Sequence, residues 1–386
     1  MSPRWATTGV FAVNGAGIGV WVGHIPWLQE RFDLTKGTMG LLLLSMSAAV
    51  ILGFLVAGQG VARHGSVRIV WIGGIALSLA VILPLMAPSP WLVVPALFAL
   101  GAASATQDVA MNSHGVAIEN RTGRPIMSSL HAGWSLGGVL GAGLAAVAAA
   151  LAVDPRAAVV LASALLLTAM VFCGRRLGPG STGAGNETPG FVLPSRAVLL
   201  LAVLCLLVMV TEGAMADWGG IYLRTDLGSS TTLAALAFVF FSGGMTVGRM
   251  LGDRVNAAIG PVALLRGGAL LTGIPLAALL LAGSPAVACL GLFLVGLGVA
   301  NGVPLMFSAA GRRPGIEAGP GIAAVSSFGS LGFLAGPPLI GFLADTVSLP
   351  WALALLVLGA VAVLLMARRA AGDAVVTPEP RAPVAA

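Results

Sequence analysis

The sequence carries very little charge for its length. Charged residues make up 9% of its 386 residues, whereas apolar residues make up 58%. Soluble domains carry roughly 25% charged residues, so this composition excludes a soluble globular protein. The long uncharged stretches each approach the roughly 20 residues that a helix needs to cross a bilayer. The sequence therefore predicts a protein that lies in a lipid bilayer.

The sequence also lacks the alternating polar and apolar pattern of a membrane barrel. Backbone groups in lipid must find their hydrogen bonds within the protein, so only helix bundles and closed barrels span membranes. Barrel strands read as segments of about ten residues with alternating hydrophobicity. The apolar runs here are continuous, so we predict an all-α membrane protein.

Catalytic and metal-binding signatures are missing as well. No phosphate loop, nucleophile elbow or metal-ligand spacing occurs, so we expect no enzyme, no cofactor and no metal. The net charge is +6, but the arginines are scattered rather than clustered, which argues against a nucleic-acid partner. The three cysteines all fall in apolar runs and are interpreted as small hydrophobic residues rather than a disulfide framework: Cys173, Cys205 and Cys289.

Twelve spans can be marked, in two halves of six helices. The predicted halves are residues 1–174 and 196–367. Residues 175–195 are rich in Gly, Pro and Ser, which is typical of a flexible linker. The tail, 368–386, is predicted to be disordered from its composition. The predicted spans are 5–29, 38–61, 67–87, 91–117, 126–151, 156–174, 196–222, 232–252, 262–282, 286–309, 319–343 and 349–367.

The basic residues predict an orientation. With the N-terminus inside, 16 of the 20 basic residues fall on the cytoplasmic side, as the positive-inside rule requires. We therefore expect a multi-pass protein of the cell (inner or plasma) membrane with both termini in the cytoplasm. Four basic residues remain outside: Arg31, Lys36, Arg156 and Arg224.

The two halves repeat at an offset of 195 residues. Ser135–Gly137 aligns with Ser330–Gly332, and Gly141 aligns with Gly336. Parallel repeats related by an axis along the membrane normal, with a solute site at their interface near the midplane, are known from one large class of transporters. The repeat therefore predicts two pseudo-symmetric halves.

The loop after the second span resembles a diagnostic motif of the major facilitator superfamily, G-x3-D-R-x-G-x-R-R. Gly58 and Arg63 match it, although Ala62 replaces the usual Asp, and the second-half copy, Gly248–Arg254, retains Asp253. The resemblance implies the major facilitator fold and secondary active transport, with helices 1, 4, 7 and 10 around the cavity. It also implies gating roles at the inner end for four residues: Arg63, Arg249, Asp253 and Arg254.

Two further segments are similar to a subgroup of that superfamily. Gln107–Asn112 and Glu212–Trp218 look like the MosC/YbjJ-like group, which is linked to an inositol-derived rhizopine. The acid-xxx-Asn pattern in helix 4 also resembles fucose–proton symporters, but this chain lacks their helix 1 acid. The resemblance implies a transporter and leaves its solute open.

Helix 4 carries the strongest candidate site. Ser104, Asp108 and Asn112 follow one another at intervals of four residues and share a helix face. His131 in helix 5 lies about as far from the intervening turn as Asp108 does, so the two are expected at similar depth. Ionisable residues within spans usually serve a solute or proton pathway. The alternative is a structural polar lock between helices 4 and 5.

Other helices contribute further candidates. Glu212 lies near the middle of helix 7 and is interpreted as a pathway residue. The resemblance, which puts helix 1 at the cavity, implies that Asn14 and Trp21 line it. Asn301 of helix 10 is predicted to bind solute, with packing as the alternative.

The predicted inner gate centres on Asp253. It lies four residues after Arg249, a spacing at which opposite charges on a helix pair. The resemblance places its carboxylate against the start of helix 11 while the cytoplasmic side is closed.

We hypothesise a proton-linked importer of a small polar, sugar- or cyclitol-like solute, which acts as a monomer in the bilayer. One alternative is a proton-driven exporter of amphipathic compounds, which a weakly polar, aromatic-rich pocket would favour. Another is a membrane receptor or scaffold that does not transport. The intact Asp253–Arg254 pair argues against a scaffold, which has no need to alternate.

The orientation can be tested by labelling. In a cysteine-free background, single cysteines at Ser181 and in the C-terminal tail should react with a membrane-impermeant reagent only from the cytoplasmic side, because of the distribution of basic residues. Labelling of both positions from outside intact cells would contradict the predicted orientation.

Overall fold

The computed structural model describes residues 2–123, 126–180, 193–313 and 318–371. Within these ranges it contains twelve helices long and apolar enough to cross a membrane, which confirms the predicted all-α membrane fold. Their bounds are α1 Pro3–Arg31, α2 Lys36–His64, α3 Ser66–Ala80 continued by Leu83–Met86, α4 Pro90–Thr122, α5 Met127–Ala150, α6 Pro155–Gly174, α7 Leu199–Ile221 continued by a π-helical turn at Tyr222–Asp226, α8 Thr231–Ile259, α9 Pro261–Ala282, α10 Pro285–Val299 continued by Gly302–Gly311, α11 Ala318–Thr346 and α12 Leu349–Ala371.

The helix starts follow local signals in the sequence. Thr35 and Ser230 accept hydrogen bonds from the backbone N–H three residues on, and so satisfy free donors at the starts of α2 and α8. Five helices begin directly at a proline, whose missing N–H has no partner to lose there. These are α1, α4, α6, α9 and α10.

The predicted repeat appears in the packing of the two halves. Close approaches of helices at glycine recur at the same offset, because a side chain at either position would strike the neighbouring helix. In the first half, Gly53 lies against Ala105 and Gly101 lies against the Met46 carbonyl. The same contacts recur in the second half, where Gly248 lies against Ala300 and Gly296 lies against the Phe241 carbonyl.

The halves pack most extensively along two pairs of helices, α2 with α11 and α5 with α8, and α1 adds smaller contacts with α7 and α8. Gly40 of α2 lies against the backbone of Pro337 and Pro338 in α11, and Gly341 of α11 lies against the carbonyl of Lys36. Because α6 ends and α7 begins at one end of the bundle, we call this the linker end and the opposite one the far end. The α2–α11 glycine contacts lie at the far end.

The predicted domain boundaries stay predictions. Most of the predicted linker and most of the predicted tail, residues 181–192 and 372–386, lie outside the described residues. The three cysteines are buried and unpaired, which confirms their interpretation as small core residues.

Candidate functional site

Asp108 and His131 are joined through Asn112. The Asn112 Nδ2 donates to Asp108 Oδ1 at 3.2 Å, and its Oδ1 lies 3.1 Å from His131 Nε2. The edge of Phe11 packs on the His131 ring with centroids 5.3 Å apart. All three polar side chains are half-buried. The structure therefore brings together the cluster that the helix 4 spacing predicts.

The cluster leaves hydrogen-bonding capacity unused. Among the described residues, the second carboxylate oxygen of Asp108 has no partner, and neither does His131 Nδ1. Neither atom is sealed from solvent. Asp108 lies about 21 Å from the linker end of α4 at 1.5 Å per residue, which is well within the bilayer. The cluster thus presents an acceptor and a ring nitrogen at membrane depth.

Asn14 belongs to a separate group of hydrogen bonds, in which both polar atoms of its side chain have partners. Its Nδ2 donates to Gln107 Oε1 at 3.1 Å and to the Ser104 carbonyl at 3.2 Å, and its Oδ1 accepts from Trp134 Nε1 at 2.9 Å. Asn14 is only 2% exposed. In this conformation its amide therefore ties α1 to α4 and α5 inside the first half.

Trp21 and Asn301 also face the interiors of their own halves. Trp21 is 1% exposed, and its indole N–H has no partner among the described residues. Asn301 lies at the break in α10 and donates to the Gly248 carbonyl at 2.9 Å. Neither is brought next to Asp108.

Arg249 joins the two halves. Its Nη2 lies 3.4 Å from Glu212 Oε1 in α7, and its Nη1 donates to Ser135 Oγ in α5 at 3.0 Å. Ser135 in turn donates to the His131 carbonyl at 3.3 Å. Arg249 is thus linked to the helix that carries His131. Beside it, Ser242 of α8 donates to the Ser135 carbonyl at 3.2 Å, so two polar contacts cross between the halves at Ser135.

Arg249 consequently does not pair with Asp253, contrary to the helical-spacing prediction. Among the described residues Asp253 makes no hydrogen bond or ion pair, and Asp253, Arg254 and Arg63 are exposed. The predicted contact of Asp253 with the start of α11 is absent from the described part of the chain. The gating roles of these residues stay predictions.

Three polar contacts at the far end, which we call the far-end lock, were not predicted from the sequence. Lys36 pairs with Asp226 at 3.2 Å, Arg224 pairs with Glu30, and the Gly37 N–H donates to Asp345 at 2.9 Å. Each contact joins one half to the other. The signal in the sequence was charge at helix ends, but nothing in it indicated which ends meet.

The polar contacts that join described residues of the two halves lie at the far end and at the level of Ser135. From Arg249 towards the linker end, no further hydrogen bond or ion pair between two described residues joins the halves. The halves are therefore fastened at the far end and at the level of Ser135.

Twelve spanning helices in two repeated halves, with ionisable side chains between them, are typical of transporters whose solute site lies at the interface of the repeats. The chain belongs to the Major Facilitator Superfamily, whose family model matches residues 7–309 and 200–385. Its members are transporters rather than enzymes, and family membership implies a small-molecule substrate.

Proteins of similar sequence fit this assignment. The chain is 32% identical over 375 residues to an uncharacterized MFS-type transporter of Yersinia pestis, covering 97% of this chain and 96% of the relative. It is 31% identical over 347 residues to the membrane protein MosC of Rhizobium meliloti, covering 89% and 84%. The MosC similarity confirms the subgroup resemblance.

Solved structures with low identity share the fold. A bacterial homologue of the human lysosomal transporter Spinster, in an inward-facing and occupied conformation, superposes with a TM-score of 0.74 at 16% identity, covering 97% of this chain and 98% of that one. The nucleoside transporter NupG gives 0.74 at 10% identity, covering 96% and 99%. These likenesses establish the architecture.

The far-end lock predicts a measurable conformational shift. Lys36→Glu should open the far end two- to fivefold more often, because losing an accessible ion pair costs about 0.5–1 kcal/mol. Double electron–electron resonance measures that population from the distance between spin labels at Ser89 and Ser284. These residues directly precede α4 and α10 at the far end.

The exchanged pair Lys36→Asp with Asp226→Lys should restore the original distribution. Arg156→Gln is the matched control, since Arg156 is an exposed far-end charge whose side chain makes no ion pair among the described residues. If Lys36→Glu leaves the distance distribution unchanged, the Lys36–Asp226 pair does not hold the far end closed.

Proposed function

We propose that this protein imports a small polar, sugar- or cyclitol-like solute together with protons, by alternating access of its two halves. The observation that carries the proposal is the Asp108–Asn112–His131 cluster at membrane depth. A carboxylate that far inside a bilayer costs at least about 2.5–3.5 kcal/mol on insertion scales. A structural lock between α4 and α5 needs no carboxylate, because Asn14 already bridges these helices with neutral groups through Gln107 and Trp134.

The cluster has the chemistry to exchange a proton. Asp108 receives one amide hydrogen bond, from Asn112, and no cation neutralises it among the described residues. A proton on its free oxygen would remove the buried charge and leave the Asn112 bond in place. Asp108 is therefore the group that we assign to proton coupling.

The same cluster suits a polyhydroxylated solute. Hydroxyl groups both donate and accept, and the free Asp108 oxygen accepts while the free His131 nitrogen takes either role according to its tautomer. Glu212 and Arg249 supply an acceptor and a donor from the other half. A solute that touched both groups would favour the conformation that brings them together, as a ligand shifts an equilibrium only through differential affinity.

The orientation of the bundle bears on the direction of transport. If the linker end is cytoplasmic, as the basic residues predict, the polar contacts between described residues fasten this structure on its outer side. An imported solute leaves from such an arrangement, but an exported solute enters from it, so the assignment of import rests on the Asp108–Asn112–His131 cluster. From the basic residues we expect both termini in the cytoplasm of a bacterial inner membrane protein.

The coupling assignment predicts that Asp108→Asn abolishes proton-driven accumulation. The amide keeps the shape of the side chain but cannot titrate, so uptake should end at equal concentrations on both sides. Uptake of radiolabelled myo-inositol and a panel of sugars into proteoliposomes with an imposed pH gradient measures it, with counterflow exchange as the check that the variant still folds and alternates.

Glu119→Gln in the same helix is the matched control and should accumulate solute as the wild type does. Full accumulation by Asp108→Asn would reduce Asp108 to a structural residue. Proton movement evoked only by amphipathic cations, and by no member of the sugar panel, would support the export alternative.

A further inference from the structure

The interior of the first half is filled at a position where the second half is not. Gln107 of α4 is fully buried and packs against Gly73 of α3. Trp71 of α3 packs its ring against Gly174 of α6. Two large side chains thus occupy the space between α3, α4 and α6.

The repeat replaces both side chains in the second half. At the offset of 195 residues, Gly302 stands in the place of Gln107, and Arg266, which is exposed, stands in the place of Trp71. In addition, α10 is interrupted between Val299 and Gly302, whereas α4 runs through the corresponding residues unbroken. Bulk is lost and the helix path changes at the same level.

An apolar cavity of about 320 Å³ lies at this level among α7, α8, α9, α10 and α12. Three polar residues line it, and the side chain of each donates a hydrogen bond to a nearby backbone carbonyl: Thr211 to Leu207, Thr272 to Gly268 and Asn301 to Gly248. An apolar cavity of even 150 Å³ stays dry and takes up an apolar ligand. This cavity therefore suits a hydrocarbon and not a polar solute.

The cavity opens at the outer surface of the bundle. Its lining includes Leu251, Ile259 and Leu271, which are 44%, 55% and 39% exposed. These side chains lie on spanning helices, where exposed apolar surface faces lipid tails. The occupant best supplied by the surroundings is therefore a lipid.

Basic residues stand beside the cavity at the linker end. Arg254 directly precedes the lining residue Val255, and Arg266 lies between the lining residues Leu265 and Gly267. Both arginines are exposed and make no ion pair among the described residues. Basic pockets between spanning helices bind the headgroups of anionic lipids.

We propose that the second half holds one acyl chain of an anionic phospholipid in this cavity, with the phosphate held by Arg254 and Arg266. The site lies wholly within one half, so it is distinct from the solute path between the halves. The lipid would replace the bulk that Gln107 and Trp71 supply in the first half.

The test uses the full-length protein in nanodiscs of phosphatidylglycerol and phosphatidylethanolamine that contain phosphatidylglycerol with a photoreactive diazirine on one acyl chain. Crosslinked peptides are identified by mass spectrometry. Crosslinks from α8, α9 and α10 around the cavity should exceed those from other lipid-facing helices by at least about tenfold.

Gly267 lines the cavity, and a Cβ there would have no heavy atom within 4 Å, so a larger side chain can be accommodated. Gly267→Leu should therefore take up cavity volume and reduce these crosslinks at least fivefold. Gly143→Leu is the matched control, since its side chain is equally unobstructed but lies in α5. Arg254→Gln with Arg266→Gln should keep the crosslinks but lose the preference for phosphatidylglycerol over an equivalent phosphatidylethanolamine probe.

Crosslinks spread evenly over the lipid-facing helices, or left unchanged by Gly267→Leu in a variant that keeps its thermal stability, would overturn the proposal. An unchanged headgroup preference in the double arginine variant, against the matched pair Arg63→Gln with Arg68→Gln, would overturn the phosphate assignment.

Discussion

A guanidinium inside a bilayer must be compensated by the protein, and in this structure Arg249 is compensated from both halves. Glu212 supplies the opposite charge from the second half, and Ser135 supplies a hydroxyl from the first. Removing one partner of a buried pair leaves a costly uncompensated charge. The relative position of the halves therefore depends on the contacts of Arg249 with Glu212 and Ser135. Ser135 in turn lies in the same helix as His131 and donates to its carbonyl.

The duplicated halves have diverged in how they use their interiors. In the first half, the uncharged side chains of Asn14, Gln107 and Trp134 hydrogen-bond to one another in the core. The titratable Asp108 directly follows Gln107 in α4. The second half breaks α10 at Asn301 and leaves an apolar space instead. The first half thus carries the Asp108–Asn112–His131 cluster, while the second half contributes Glu212 and Arg249 and contains the apolar cavity.

The sequence predicts the spans well because their cause is local. Hydrophobic length places all twelve helices, with the largest error at the end of α8, which runs to Ile259 rather than 252. The Asp108–Asn112 pair is also local, since residues four apart share a helix face. The fold and the centre of the candidate site are therefore predictable from the sequence.

The remaining contacts depend on partners that are distant in sequence. Local spacing pairs Arg249 with Asp253, but tertiary packing gives it Glu212, 37 residues away, and Ser135, 114 residues away. Asn14 likewise looks like a cavity residue on a helix 1 stripe, but Gln107 and Trp134 occupy its amide. Neither partner can be inferred without knowing how the helices are arranged.

The most direct test of the account is a double-mutant cycle on the conformational equilibrium. The populations with an open and a closed far end are measured by double electron–electron resonance for the wild type, Asp108→Asn, Ser135→Ala and the combined variant. If the cluster and Arg249 act as one unit, the two substitutions should be non-additive by about 1 kcal/mol or more, since residues of one hydrogen-bond network couple by about 0.5–3 kcal/mol. Additivity within about 0.3–0.5 kcal/mol, as for independent sites, would contradict a link between the Asp108–Asn112–His131 cluster and the contact of the halves at Arg249.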